Sequence, residues 1–341
     1  MGYDAFLLIS FGGPEGMGDV LPFLENVTRG RGVPPERLAE VAEHYRHFGG
    51  VSPINAQARE LLAAVDERLD LPVYWGNRNW HPMLADTVRR MRDDGVRRAI
   101  AFVTSAYSSY SSCRQYWDDI ARARAEVGEG APEIDKLRHY YDHPGFVEPH
   151  VDGVRAALAQ LDPAQRATTR LVFTAHSVPD SMARTAGPDG GLYEEQLQEA
   201  ARLVAAAAAP DLPWDLAWQS RSGPPQVRWL EPDINDHLGV LSKEGVTSVV
   251  VSPVGFVSDH LEVLWDLDTE AAATAEALGL GYARAATPGN DPRFVAMVTE
   301  LVRERLAGDT APQRRLGTLP VWGDHCPAGC CAPPRRPAAV A

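Results

Sequence analysis

The chain has 341 residues, 33 basic against 46 acidic, for a formal net charge of −13, and 45% of it is apolar. That length points to about two domains at roughly 100–200 residues each, and the apolar share is enough for buried cores. A body this acidic disfavours nucleic acid or an anionic membrane surface as the main partner. Lys136 and Lys243 are its only lysines, leaving 31 arginines. This enrichment reads as coding bias and lowers the weight of any single arginine. The opening residues enter a strand-like run at once, without the basic start and small-residue cleavage site of a signal peptide. No stretch reaches the ~18 apolar residues of a membrane span. The expected compartment is the cytoplasm.

Short apolar, β-branched runs alternate with longer amphipathic ones, which predicts an α/β fold with parallel sheets. In the first half the strands are expected at Ala5–Ser10, Pro72–Gly76, Ala99–Thr104 and Leu137–Tyr140. In the second they are expected at Arg170–Ala175, Asp215–Gln219, Ser248–Pro253 and Gly281–Ala285. Ala56–Leu69 and Tyr193–Ala208 carry the clearest helical periodicity. Four strands and four strands predict two Rossmann-like domains, each a four-stranded parallel sheet flanked by helices. The expected divisions are 1–143 and 144–290 for the domains, 291–308 for a closing helix and 309–341 for a cysteine-containing tail.

Ligands of open α/β sheets sit at the carboxyl ends of the strands, so the residues just past each strand are the candidates. His176 follows one strand and precedes Pro179, where an imidazole would face the crevice and titrate near neutrality. A structural histidine bonded to its loop is the competing reading. After Ser248–Pro253, Ser258 is a candidate N-cap for a helix running toward Leu278. Glu262, Asp266 and Glu270 then fall at i, i+4 and i+8 on one face. A solvated acidic face is the ordinary explanation. Against it, three like charges at this spacing cost helix stability unless something cationic visits them, and the row starts where ligand sites gather.

The first strand runs into Phe11-Gly12-Gly13-Pro14-Glu15, whose glycines allow close backbone approach but lack the full phosphate-loop spacing. Arg29, Arg31, Tyr45, Arg46 and Ser52 follow in two loops. Guanidinium groups and hydroxyls suit a ligand with peripheral carboxylates and a flat face; ordinary loop chemistry is the alternative.

Taken together, Phe11-Gly-Gly-Pro-Glu15, Tyr45-Arg-His-Phe-Gly-Gly-Val-Ser52-Pro53, Thr174-Ala-His176-Ser-Val-Pro179 and Phe256-Val-Ser-Asp-His260-Leu-Glu262 resemble the ferrochelatases. Gln219-Ser-Arg221-Ser-Gly223-Pro224 and Trp229-Leu-Glu-Pro232 fit the same family, in order, over about residues 3–308. The resemblance implies two Rossmann-like domains holding a porphyrin between them. It implies insertion of Fe²⁺, with His176 and Glu262 as the inner catalytic pair and Asp266 and Glu270 extending the metal route. It also implies porphyrin contacts from Ser52 and Tyr116, with Tyr45, Arg29 and Arg46 near the propionates. Some relatives ligate the product iron through a tyrosine in the first loop, where this chain has Phe11. Within the family the chain resembles the actinobacterial coproporphyrin III type, making Fe-coproporphyrin III (coproheme) for heme biosynthesis. A protoporphyrin IX ferrochelatase and a non-catalytic tetrapyrrole carrier are the alternatives. The partners implied are the porphyrin, ferrous iron and a downstream heme-pathway enzyme.

Four cysteines remain, Cys113, Cys326, Cys330 and Cys331, three of them within the irregular, cationic tail. Adjacent cysteines rarely satisfy disulfide geometry, and the spacing is not that of a zinc knuckle, though His325 keeps zinc open. Members of the resembling subgroup hold a 2Fe–2S cluster with one internal and three C-terminal cysteines. That implies all four thiols as its ligands.

Overall fold

The computed structural model describes residues 2–333 apart from Arg31, Pro224, Pro225, Asp309, Thr310, Gly323, His325 and Ala328. The first sheet contains β1 (Ala5–Ser10), β2 (Val73–Asn77), β3 (Arg98–Val103) and β4 (Glu133–Lys136), in the order β2-β1-β3-β4. The second contains β5 (Thr169–His176), β6 (Trp214–Gln219), β7 (Ser248–Ser252) and β8 (Gly281–Arg284), in the order β6-β5-β7-β8. Every pairing is parallel. The two sheets share one topology, so each half is a Rossmann-like unit.

Helices α1 (Met17–Val27), α2 (Pro35–His47) and α3 (Pro53–Asp66) separate β1 from β2, with α4 (Leu84–Asp93) and α5 (Gln115–Val127) further on. The second half carries α6 (Pro144–Leu158), α7 (Asp180–Arg184), α8 (Leu192–Ala208), α9 (Ile234–Lys243), α10 (Leu261–Val263), α11 (Ala272–Ala277) and α12 (Pro292–Ala307). Strand β1 is buried throughout, as a central parallel strand covered on both faces must be. Its period-two alternation divides the cores: Ala5, Leu7 and Ile9 face α4 and α5, while Phe6 and Leu8 join a second cluster. That cluster also contains Phe146, Phe173 and Phe294, so one apolar core is continuous between the sheets. Helix α12 packs on both α6 and α3, spanning the halves. None of the described helices is long and apolar enough to cross a membrane.

Two expectations change. The fourth strand is Glu133–Lys136 rather than Leu137–Tyr140. Leu137 and Tyr140 are buried in the core between the sheets, Tyr140 stacking on Phe102 and packing against Phe146 and Phe294, while His139 N–H donates to Trp322 O of the tail at 3.0 Å. An apolar run buried in such a core reads like a strand. The helix after β7 begins with His260, not Ser258, as its N-cap. It is also not uniformly α, since residues Leu264–Ala271 form a π-helix.

Candidate functional site

In both sheets the strand order reverses between the first and third strands of the half, and the crevice at that switch point is where α/β sheets hold ligands. His176 is the last residue of β5, and Glu262 lies in the segment after β7. Topology therefore brings together two side chains that are 86 positions apart. His176 Nε2 stands 3.8 Å from Glu262 Oε2, and each side chain keeps over a third of its surface open to the cleft, at 36% and 40%.

The imidazole is oriented from behind. His176 Nδ1 lies 2.5 Å from Ser177 O. A carbonyl oxygen only accepts, so Nδ1 is the donor in this contact, and in the neutral ring Nε2 keeps the lone pair. Tyr193 Oη donates to His176 O at 2.9 Å and holds the backbone. The Nε2 edge of the imidazole is thus turned toward Glu262.

Although the Glu262 side chain keeps 40% of its surface open, the protein packed around it desolvates the carboxyl and pushes it up to about 7. Asp266 is also raised to about 7, by burial first and by the charge of Glu262 second. The two carboxyls titrate as a pair near neutrality. Two residues at the end of β6 oppose the rise: Gln219 Nε2 donates to Asp266 Oδ2 at 3.2 Å, and Ser220 Oγ donates to the same oxygen. Ser220 adopts a φ of 64°, in the left-handed region that favours glycine. Glu270 is exposed at the outer end of the row and accepts from Trp265 Nε1 at 2.9 Å. The π-helix makes i→i+5 bonds, so residues four apart fall just short of a full turn instead of just past it.

The first domain supplies the opposite wall. The Tyr45 phenol is raised by burial and then by the Glu262 charge, which puts it within electrostatic reach of that carboxylate. Its neighbour His44 stacks on Trp265 at 4.0 Å between ring centroids and 9° between planes, joining α2 to the π-helix. Ser52 is buried, and a Cβ on Gly13 would stand 2.7 Å from its Cβ. Gly13 therefore serves close packing against Ser52 and Ile54 at the start of α3, and Gly12 close packing against Asn77 and Trp80. Tyr116 is 3% exposed in the α4–α5 core. Arg29 is exposed, as is Arg46, which pairs with Glu43. Arg31 and His325 lie outside the described residues. A cavity of about 370 Å³ opens beside Ser177, lined by Trp218, Arg221, Leu230 and Asp233, and includes neither His176 nor Glu262.

Sequence reasoning missed Arg78. It follows β2, pairs with Asp119 at 2.6 Å with both side chains nearly buried, and spreads its guanidinium over Tyr116 at 4.5 Å and Phe11 at 5.8 Å. Its place directly after a strand is the only signal that could have found it.

The cysteines meet away from this pair. Cys113 is buried in the π-turn Tyr110–Arg114 after β3, where its thiol contacts those of Cys326 and Cys331. Cys330 Sγ is 3.8 Å from Cys331 Sγ, and Gly187 N–H donates to Cys331 Sγ at 3.2 Å. Contact with the other thiols holds Cys113 well below its ordinary range, and the same contacts push Cys326 and Cys331 up. Among the described residues no three His, Cys, Asp or Glu side chains enclose a single ion position.

The ferrochelatase family model matches residues 3–306. The coproporphyrin III ferrochelatase of Nocardia farcinica is 60% identical, over 100% of this chain and 99% of its own. That of Streptomyces coelicolor is 56% identical over 99% of this chain and 96% of its own. Among solved structures, the sirohydrochlorin chelatase SirB from Bacillus subtilis subspecies spizizenii in complex with cobalt superposes with a TM-score of 0.54 at 11% identity. The alignment covers 90% of this chain and 97% of that one, a likeness of fold alone. With its family match spanning nearly the whole length, this chain is a member of the ferrochelatase family.

Proposed function

We propose that this chain inserts ferrous iron into coproporphyrin III, giving Fe-coproporphyrin III for heme biosynthesis. The observation that carries the reading is the His176–Glu262 pair, 3.8 Å apart at the switch-point crevice between two Rossmann-like halves. The names of the relatives and their identity over the full length support coproporphyrin III as the substrate.

Insertion replaces two pyrrole N–H protons with one Fe²⁺, so the site must accept protons while stripping water from the metal. The His176 Nε2 lone pair is the acceptor for pyrrole protons. Glu262, ionised in part near neutrality, takes the metal from water, with Asp266 and Glu270 forming the route outward. A planar macrocycle hides its nitrogen lone pairs, and bending it draws on binding energy from the substrate's periphery. Ser52, Tyr116, Tyr45, Arg29 and Arg46 are the residues assigned to that periphery. Tyr116 acts through the Arg78 guanidinium that covers it. Phe11 offers an apolar, half-open face where a ligating tyrosine would stand.

Cys113, Cys326, Cys330 and Cys331 form a donor set suited to a 2Fe–2S cluster, which needs four thiolates. These four thiols would hold the cluster, which would supply one-electron chemistry and a staple for the tail. In this reading residues 1–143 and 144–290 are the two domains, 291–308 the closing helix and 309–341 the tail. The enzyme works in the cytoplasm and passes its product to the next enzyme of the heme pathway.

Anaerobic turnover of Fe²⁺ with coproporphyrin III against protoporphyrin IX tests the substrate directly. Preference for coproporphyrin III is expected. Preference for protoporphyrin IX would replace the substrate, and porphyrin binding without turnover on either would leave a carrier.

A further inference from the structure

The π-helix Leu264–Ala271 carries the outer part of the acidic row, and Trp265 joins it to the first half. His44 lies flat on the indole, with 4.0 Å between ring centroids, and His47 meets it edge-on at 5.7 Å and 81°. Residues three apart share a helix face, so α2 grips the half-buried indole from two sides with a pair of imidazoles. The indole N–H is left over for Glu270, and donates to its Oε1 at 2.9 Å. The winding makes that bond available. On an α-helix the fifth residue along lies about 140° round the axis, whereas the i→i+5 repeat of a π-helix brings it back beside the first. Within its own half the π-helix is held by Tyr282 Oη, which donates to Leu267 O at 2.7 Å, and by Arg284 Nε, which donates to Asp268 Oδ1 at 2.6 Å. Glu270 is exposed, and an untethered glutamate at a surface samples many rotamers.

We propose that Trp265 is a positioning residue for metal capture: clamped by His44 and His47, it fixes the Glu270 carboxylate at the outer end of the acidic row, ready for a divalent cation. The inference rests on reading that row as the metal route. An ionised carboxylate accepts at both oxygens, so the indole bond to Oε1 leaves Oε2 free for the metal or for its water shell. The same bond favours the ionised form of Glu270. An acceptor already fixed in place binds without the entropy loss of ordering its side chain. Glu270 belongs to the second half and the two imidazoles to the first, so the two halves together set where the metal is met. The clamp needs a flat ring at position 44 rather than an imidazole as such, since offset and edge-on ring contacts are open to any aromatic side chain.

The test is anaerobic steady-state insertion by the full chain, with Fe²⁺ varied at saturating coproporphyrin III and porphyrin affinity measured separately by fluorescence. Trp265→Phe keeps a ring between the imidazoles and removes the N–H. Its KM for Fe²⁺ should rise about fivefold, the effect of having to order one free glutamate, while kcat and porphyrin affinity stay within about twofold. His44→Ala should raise the same KM, and His44→Phe should recover most of the loss. Glu270→Ala should raise it at least as far as Trp265→Phe, and the double variant should go no further, because both changes act through one carboxylate. Additive effects in the double variant, or a fall in kcat and porphyrin affinity in step with the KM, would make Trp265 a packing residue and overturn the proposal. A KM raised by Glu270→Ala but not by Trp265→Phe overturns the Trp265 assignment alone. An unchanged KM in Glu270→Ala overturns the reading of the row as the metal route. A wild type that binds porphyrin and inserts no iron overturns the proposed activity, and the inference falls with either.

Discussion

Ser220→Gly separates the chemistry of the acidic row from the stability of the fold. Ser220 holds a φ of 64° and donates its hydroxyl to Asp266 Oδ2. The left-handed conformation costs a non-glycine residue about 1–2 kcal/mol, and glycine recovers most of it, less the entropy it adds to the unfolded chain. A hydrogen bond to a charged group is worth about 1.5–3 kcal/mol. In the folded protein the carboxyl escapes part of that loss by taking up a proton. The two effects on stability therefore nearly cancel, and the urea midpoint should move by less than the equivalent of about 1 kcal/mol. The effect on charge does not cancel. Asp266 stands at about 7 with the hydroxyl in place, and losing that bond raises it by roughly one to two units at 1.36 kcal/mol each. Ferrous turnover at pH 7 should fall about tenfold, and the acid limb of the pH–rate profile should move up by about one unit. Ser220→Asn, which tolerates the same backbone and retains a donor, should recover most of the rate. An unshifted acid limb, or a rate loss matched by a fall in stability, would refute the reasoning.

Other consequences lie away from the cleft. His150 is fully buried with neither ring nitrogen hydrogen-bonded, so His150→Leu should stabilise the fold by about 1–3 kcal/mol in urea unfolding. Burial pushes His150 down to about 3, below its value near 6.5 in the unfolded chain. Its contribution is thus intact above pH 6.5 and is lost as pH falls toward 3, at about 1.4 kcal/mol per pH unit. His150→Leu should flatten the acid limb of stability by that amount. Asp119→Asn strands the buried Arg78 guanidinium and should cost about 3–5 kcal/mol, read as a lowered urea midpoint.

The strand runs were legible because a buried parallel strand has a distinctive continuous apolar signature, as in Ala5–Ser10. Leu137–Tyr140 deceived because the core between the sheets buries Leu137 and Tyr140 as thoroughly as a sheet does. The acidic residues at 262, 266 and 270 could be read as a row, but nothing in their spacing announces the π-helix that carries them. His176 was visible from its position just past a strand. The turn of its Nε2 toward Glu262 depends on Ser177 O, a backbone contact that no side chain advertises. Arg78 was hidden among 31 arginines, and its role follows only from the aromatic faces it covers. The meeting of Cys113 with the tail is a tertiary event that no spacing in the sequence announces.

The central claim is that His176 takes the pyrrole protons while Glu262 receives the metal across one slot. The most direct measurement is single-turnover insertion, in which porphyrin-loaded protein is mixed anaerobically with Fe²⁺ and porphyrin affinity is measured separately by fluorescence. For His176→Ala the account predicts nearly unchanged porphyrin affinity with insertion slowed about 10²–10⁴-fold. Insertion at the wild-type rate, or a loss of affinity as large as the loss of rate, would contradict it.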